Sequence, residues 1–151
     1  MSGLAVHFSS ARQDWATPWD FFKAQEAEFG PFDLDVCATP ENAKCARFYT
    51  PEQDGLARPW TGRCWMNPPY GREIGQWVKK AAEEARKNAE HVVCLLPART
   101  DTAWWHNYVE RCAAHIIFLR GRIRFEGADS SAPFPSVIVV FKKQSGKGGD
   151  L

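Results

Sequence analysis

Cys64-Trp65-Met66-Asn67-Pro68-Pro69-Tyr70-Gly71 is the stretch on which the reading of this chain turns. Three apolar residues running into an amide, two prolines and an aromatic describe a buried strand whose C-terminal end carries a stiff polar tip. Such a tip can grip and stack a planar amine, so the tetrapeptide speaks to chemistry as well as to fold. The prolines fix the backbone and remove two amide donors from the pocket. That leaves the Asn67 side-chain oxygen and the Pro68 carbonyl as acceptors for both N–H groups of an exocyclic amine, which favours a pyramidal nitrogen with its lone pair exposed. Tyr70 offers a stacking face, worth about 1–3 kcal/mol per base and comparable to the expense of flipping a base from a duplex. The plainer alternative is a Pro-Pro turn joining strand to helix, with Tyr70 packed at the surface.

Outward from this strand, helical and extended patterns alternate. Thr17 reads as the N-cap of a helix with Pro18 at its first position and Asp20 in its first turn. Phe21, Phe22, Gln25 and Phe29 follow at helical spacing, and Gly30-Pro31 stops the segment. Residues 32–38 form a strand candidate, and its two acids, Asp33 and Asp35, are expected to play different roles. The turn-rich stretch 39–59 holds a possible short strand at 46–49. Residues 73–88 predict an amphipathic helix: Ile74, Trp77, Val78, Ala81, Ala82 and Ala85 make one face, and Lys79, Lys80, Glu83, Glu84 and Lys87 the other. Strands are expected at 91–96, 115–119 and 135–141, and a second helix at 101–112 carrying Trp104, Trp105 and Tyr108. Strands alternating with helices imply an α/β fold with a mostly parallel sheet covered on both faces. Ligands of such sheets sit outside the carboxyl ends of the strands, where Asp35 and Asn67 both fall.

The 151 residues suit one domain, read as 14–144 between a flexible arm (1–13) and a flexible tail (145–151). No leader and no long apolar run points to secretion or membrane spanning, so a cytoplasmic protein is expected. Five cysteines, without a CxxC pair, argue against a disulfide framework or zinc ribbon. Of the seven tryptophans, Trp65, Trp77 and Trp104 are the expected core members. The net charge of +1 is unevenly spread: residues 1–60 carry five Lys/Arg against nine Asp/Glu, and residues 111–151 seven against three. The basic end is the better match for a phosphate backbone.

Several blocks in one order give the chain a broader likeness. Asp14-Trp15-Ala16-Thr17-Pro18, the acidic strand ending Asp35-Val36-Cys37-Ala38, Asn42-Ala43-Lys44-Cys45, Asp54-Gly55-Leu56, the Asn-Pro-Pro-Tyr strand, Leu96-Pro97-Ala98-Arg99, Gly121-Arg122-Ile123-Arg124-Phe125 and Ala132-Pro133-Phe134-Pro135-Ser136 together resemble the phage-type DNA N6-adenine methyltransferases. The resemblance implies a Rossmann-like methyltransferase fold with an antiparallel last strand and helices on both faces. It also implies S-adenosylmethionine as methyl donor, DNA adenine as acceptor, no metal, and a phage or prophage origin in a bacterial host. The block order is similar to the gamma-type amino-methyltransferases, and a separate target-recognition domain is missing.

By the same resemblance, Asn67, Pro68, Pro69 and Tyr70 are the catalytic residues. Trp15, Thr17 and Pro18 lie against the methionine end of the donor, with Thr17 able to cap its helix as well. Asp35 and Ala38 match the first donor-binding block, Ala38 standing in for a glycine because the Phe-x-Gly-x-Gly loop of many methyltransferases is absent. Asp35 is preferred over Asp33, which reads as a capping or solvent-facing acid. Asp54 holds the donor's adenine amine with Leu56 against the ring, and Asn42 and Phe48 are weaker candidates. DNA contacts fall to Arg99, Arg120, Arg122, Arg124 and Phe134, the three loop arginines on a strand-like stem. Arg99 has two alternatives, positioning the catalytic loop or pairing with Asp101. For Phe134 and its flanking prolines the alternative is a bent entry to the last strand. The expected reaction is base flipping and direct in-line transfer without a covalent enzyme intermediate, with short or relaxed sequence specificity. Related enzymes use the same grip on guanine N2 in RNA or on a protein glutamine, and a binding module that has lost catalysis is the remaining alternative.

Overall fold

A computed structural model describes residues 15–143; the arm and tail expected at 1–13 and 145–151 lie outside the described residues. Helix α1 spans Trp19–Phe29 and α2 spans Ile74–Lys87. Six strands, β1 (Leu34–Asp35), β2 (Arg47–Phe48), β3 (Gly62–Met66), β4 (Ala89–Pro97), β5 (His115–Phe118) and β6 (Ser136–Lys142), form one sheet in the order 2-1-3-4-6-5. The β2–β1, β1–β3 and β3–β4 pairs are parallel, and β6 runs antiparallel to both β4 and β5. The sheet is thus mostly parallel with its last strand reversed, as expected.

Consecutive residues of a strand point to opposite faces. Residues 91–97 of β4 and 136–141 of β6 are buried without interruption, so both faces of the sheet centre are covered. On one side Phe22 of α1 packs edge-on against Trp65 of β3, ring centroids 5.2 Å apart, with Phe32 beside both. The apolar face of α2 is buried as its spacing requires: Ile74, Trp77, Val78, Ala81, Ala82 and Ala85 are all in the core.

Several local expectations are corrected. Glu84, placed on the solvent face of α2, is buried; its carboxylate accepts from the backbone N–H of Trp60 at 2.9 Å, from Asn88 Nδ2 and from Lys80 Nζ. The acid holds the indole-bearing loop down, and Trp60 stacks on Trp77. Thr17 does not cap α1: the helix begins at Trp19 with Pro18 in the cap position and no side-chain cap bond. The segment at 101–112 is helical, but its centre, Trp105–Glu110, is wound as a π turn. Trp105 and Val109 are buried there, whereas Trp104 is only half-buried, lying over Gly75. Trp60 and Trp105 therefore join Trp65 and Trp77 in the core in place of Trp104.

The chain leaves β1 for β2 on one side and returns to β3 on the other, so the topological switch point lies at β1 and β3. The C-terminal ends of those two strands carry Asp35 and, one residue past Met66, Asn67.

Candidate active site

A crevice opens at this switch point, where ligands of such sheets bind. Its walls include Trp15, Thr17, Asp35, Ala38, Asn42, Lys44, Asn67, Pro68 and Pro69. A second hollow, lined by Asp54, Leu56, Glu73 and Trp77, shares Cys37, Pro51 and Pro69 with the first. The two form adjoining lobes on either side of those three residues. Most residues singled out for donor binding and catalysis thus converge on one place. Pro18 and Tyr70 line neither lobe, and Phe48 faces a separate hollow beside β2.

Asn67 is the polar centre of the first lobe. Its Nδ2 donates to the Trp15 carbonyl and, at 2.9 Å, to Thr17 Oγ1. The Trp15 carbonyl can only accept, which fixes the amide with its nitrogen toward residues 15–17. The opposite atom, Oδ1, is buried and has no hydrogen-bond partner among the described residues. Buried polar atoms are nearly always paired, so this acceptor stands out on a residue that lines the crevice.

Asp35 is 3% exposed. Its oxygens accept from the backbone N–H groups of Cys37 at 3.3 Å and Lys44 at 3.0 Å. Burial pushes its carboxyl up to about 7 despite those two bonds and the nearby Lys44 ammonium. Asp33 is exposed instead, accepting from the backbone N–H of Arg63 at 2.9 Å; it lies just before β1, which begins at Leu34, so the strand does not bury it beside Asp35. Lys44 rests over the Trp19 ring at 4.3 Å and donates to the Asn42 carbonyl. Burial pushes the Cys37 thiol up to about 12, so the cysteine between the two lobes stays protonated at neutral pH. Asp54, with φ of 59°, turns its carboxylate back onto the N–H of Leu56 at 3.2 Å.

Tyr70 departs from its expected role. Its ring is 5% exposed, wedged edge-on against Phe125 and Phe134, and its hydroxyl donates to the Leu95 carbonyl at 2.9 Å. Burial holds the phenol well above its ordinary range. It presents no free stacking face; it anchors the loop that carries Asn67. Arg99 joins in by donating to the Tyr70 carbonyl at 3.4 Å, and no ion pair links it to Asp101 among the described residues.

Arg120, Arg122 and Arg124 do not sit on a strand. Residues 119–135 form an irregular loop on which these three arginines are exposed while Ile123 and Phe125 turn inward. The loop is pinned at fixed points: Ala132 N–H to Ile123 O at 2.8 Å, Glu126 N–H to Ala16 O at 3.0 Å, and the rings of Phe125 and Phe134 against Trp15. Phe134 is half-buried in this aromatic cluster rather than displayed. Lys44, Cys37 and Trp77 are among the crevice residues that escaped the residue-by-residue reading. Lys44 lies in the turn-rich stretch 39–59, Cys37 reads as part of the strand candidate 32–38, and Trp77 reads simply as a core position of its helix. Trp77 Nε1 is a second buried polar atom without a partner. Among the described residues no group of three or more His, Cys, Asp or Glu is arranged to hold a metal ion. No helix among them is long and apolar enough to cross a membrane.

Comparison with known proteins agrees with this geometry. A family model described as DNA N-6-adenine-methyltransferase (Dam) matches residues 6–147. The DNA N-6-adenine-methyltransferase of Haemophilus phage HP1 is 35% identical over 142 residues, 89% of this chain and 81% of that protein. The enzyme of the same name from Escherichia phage T1 is 38% identical over 113 residues, 73% of this chain but 46% of the phage protein. Among solved structures, PH1948 of Pyrococcus horikoshii, described as a candidate RNA methyltransferase, superposes with a TM-score of 0.51 at 16% identity. That match covers 76% of this chain and 64% of the archaeal one, a likeness of fold.

Proposed function

The chain belongs to the DNA N-6-adenine-methyltransferase (Dam) family, and from that premise we propose how its own residues carry methyl transfer to adenine N6 in DNA. The observation that carries the proposal is the Asn67 side chain, its Nδ2 tied back to Trp15 and Thr17 and its Oδ1 buried without a partner. An oxygen held this way accepts and cannot donate. It suits an exocyclic amine extruded from the duplex into the first lobe.

In this reading Asn67 Oδ1 and the Pro68 carbonyl accept the two N–H groups of adenine N6. The amine's lone pair is thereby withdrawn from the ring and turned into the crevice. Pro68 and Pro69 keep competing backbone donors away, and Tyr70 and Arg99 hold the loop from behind. Catalysis then rests on orientation and electrostatic placement.

The crevice fits S-adenosylmethionine. Its two adjoining lobes match a donor with an amino-acid end and a nucleoside end, and the second is lined by Trp77, whose buried Nε1 has no partner among the described residues. When bound, the donor supplies an electrophilic sulfonium methyl. Trp15, Thr17, Asp35 and Ala38 would hold its methionine side, and Asp54 and Leu56 its base. The Asp35 carboxylate, disfavoured by burial, gains a cation to face.

The exposed arginines Arg120, Arg122 and Arg124 form the phosphate-facing surface, their loop fixed to the crevice through Phe125 and Phe134. A short or relaxed target sequence is the reading we favour, and the enzyme would act on DNA in the cytoplasm of a bacterial host.

Incubation with labelled S-adenosylmethionine and unmethylated DNA, RNA or protein, followed by nucleoside and amino-acid analysis, tests the reading. Label in N6-methyladenine of DNA is expected. Label in N2-methylguanine or methylglutamine instead would overturn it.

A further inference from the structure

Asp35 and Lys44 are the two charged residues on the wall of the first lobe, and their charges are opposite. They are tied to each other through the backbone and not through those charges. The Lys44 N–H donates to Asp35 Oδ2 at 3.0 Å, whereas the Lys44 ammonium makes no ion pair with any carboxylate among the described residues. Instead Nζ rests 4.3 Å from the centre of the Trp19 ring and gives one proton to the Asn42 carbonyl at 3.2 Å. A neutral ring and a neutral carbonyl are weak company for a half-buried cation. Burial accordingly holds the ammonium below its ordinary range, despite the pull of the more distant Asp35 and Glu126 carboxylates. Asp35 is the mirror case, a buried carboxylate served by two backbone N–H groups and by no ion pair among the described residues. Buried charges are normally paired.

We propose that Lys44 takes the carboxylate of the donor's amino-acid end, so that the first lobe recognises an α-amino acid as a zwitterion, its ammonium toward Asp35 and its carboxylate on Lys44. The proposal rests on the reading of the crevice as the S-adenosylmethionine site. An α-amino acid carries both charges on one carbon. A wall that presents one charge of each sign, unpaired with each other, is its electrostatic complement. The ammonium has three protons, and one is engaged by Asn42, so a carboxylate can be bound without breaking the contact already made. A ligand without the carboxylate leaves Lys44 with its ring and carbonyl alone. The lobe thereby sorts the intact amino-acid end from a truncated one.

Calorimetry on the full chain at pH 8 tests this with two ligands, S-adenosylhomocysteine and its decarboxylated counterpart, which keeps the adenosine, the thioether and the amine. Wild type should bind the first about tenfold to a hundredfold more tightly, the effect of one charge-assisted hydrogen bond. Lys44→Met keeps an apolar stem over Trp19 and removes the charge. It should weaken S-adenosylhomocysteine binding by about tenfold or more and should not weaken binding of the decarboxylated ligand, so that the preference collapses. If the methionine variant fails to fold, Lys44→Gln carries the same expectations. Equal binding of the two ligands by wild type, or a substituted protein that keeps the preference or loses affinity for both ligands alike, overturns the proposal alone. Wild-type protein that binds neither ligand overturns the parent reading of the crevice and this one with it.

Discussion

The hydroxyl of Tyr70 donates to the carbonyl of Leu95 across the junction between the catalytic loop and β4, at 2.9 Å and out of contact with water. The aromatic that ends the Asn-Pro-Pro-Tyr stretch is therefore a bolt in the interior. Tyr70→Phe leaves the ring cluster intact and removes only the hydroxyl, so it should lower stability by about 1–2 kcal/mol in urea titrations. A tyrosine displayed for stacking would give no such change.

Asn67→Ala deletes the buried acceptor and nothing else that touches the proposed substrate. Removing one preorganised electrostatic contact of this kind typically reduces kcat by about a hundred- to a thousandfold. Methyl-donor affinity, measured by calorimetry, should stay within a few fold, because the residues proposed to hold the donor remain. Full activity in this variant would remove Asn67 from the mechanism.

The raised carboxyl of Asp35 makes a pH prediction with a definite sign. In the unfolded chain this group loses its proton near 3.8; in the folded chain it keeps it to about 7. Between those values the native state binds more protons than the unfolded state, so the Asp35 contribution to stability is fully present below pH 4 and is lost as pH rises to 7. Urea midpoints of ligand-free protein should show this decline, and Asp35→Asn should flatten it. An identical slope in the two proteins would mean Asp35 ionises normally. S-adenosylmethionine, a cation, should bind more tightly at pH 8 than at pH 6 in wild type only.

Arg120, Arg122 and Arg124 are exposed on a pinned loop, so their removal should alter DNA binding without unfolding the protein. Each alanine substitution is expected to weaken binding about equally on any sequence and to reduce the slope of log affinity against log salt by about one. Fluorescence anisotropy at several salt concentrations measures both quantities. An unchanged slope in the triple variant would move the phosphate contacts elsewhere.

Glu84 supplies a stability prediction remote from the crevice. Glu84→Ala strands the buried Trp60 N–H and should lower stability by about 1–3 kcal/mol. Lys80→Ala removes only one partner of the carboxylate and should lower it by less than about 1 kcal/mol. Thermal unfolding of both variants would separate a structural carboxylate from a merely solvated one.

Most of the architecture was legible because its signals are local. The α2 stripe, the continuous apolar runs of β4 and β6 and the polar tip after Met66 each follow from the spacing of a few neighbouring residues. The readings that failed depend on partners distant in sequence. Glu84 looks solvated at its place on the helix because the N–H it serves lies 24 residues earlier. Thr17 looks like a cap because its true partner, Asn67, comes 50 residues later. Tyr70 looks like a displayed aromatic until Phe125, Phe134 and Leu95 close around it. Strand β1 is two residues long yet falls within the expected stretch 32–38; Asp33, which would share a face with Asp35 in a regular strand, lies just outside it and is exposed.

The crevice is lined from residues 15–77, whereas the arginine-bearing loop occupies 119–135 and reaches the crevice rim through a few rings and one backbone bond. On the proposed reading, small-molecule chemistry and polymer contact fall to separate stretches of the chain. Drift or recombination in the later half can retarget such an enzyme to new DNA while the earlier half keeps its reagent, which gives a single small domain room to diversify.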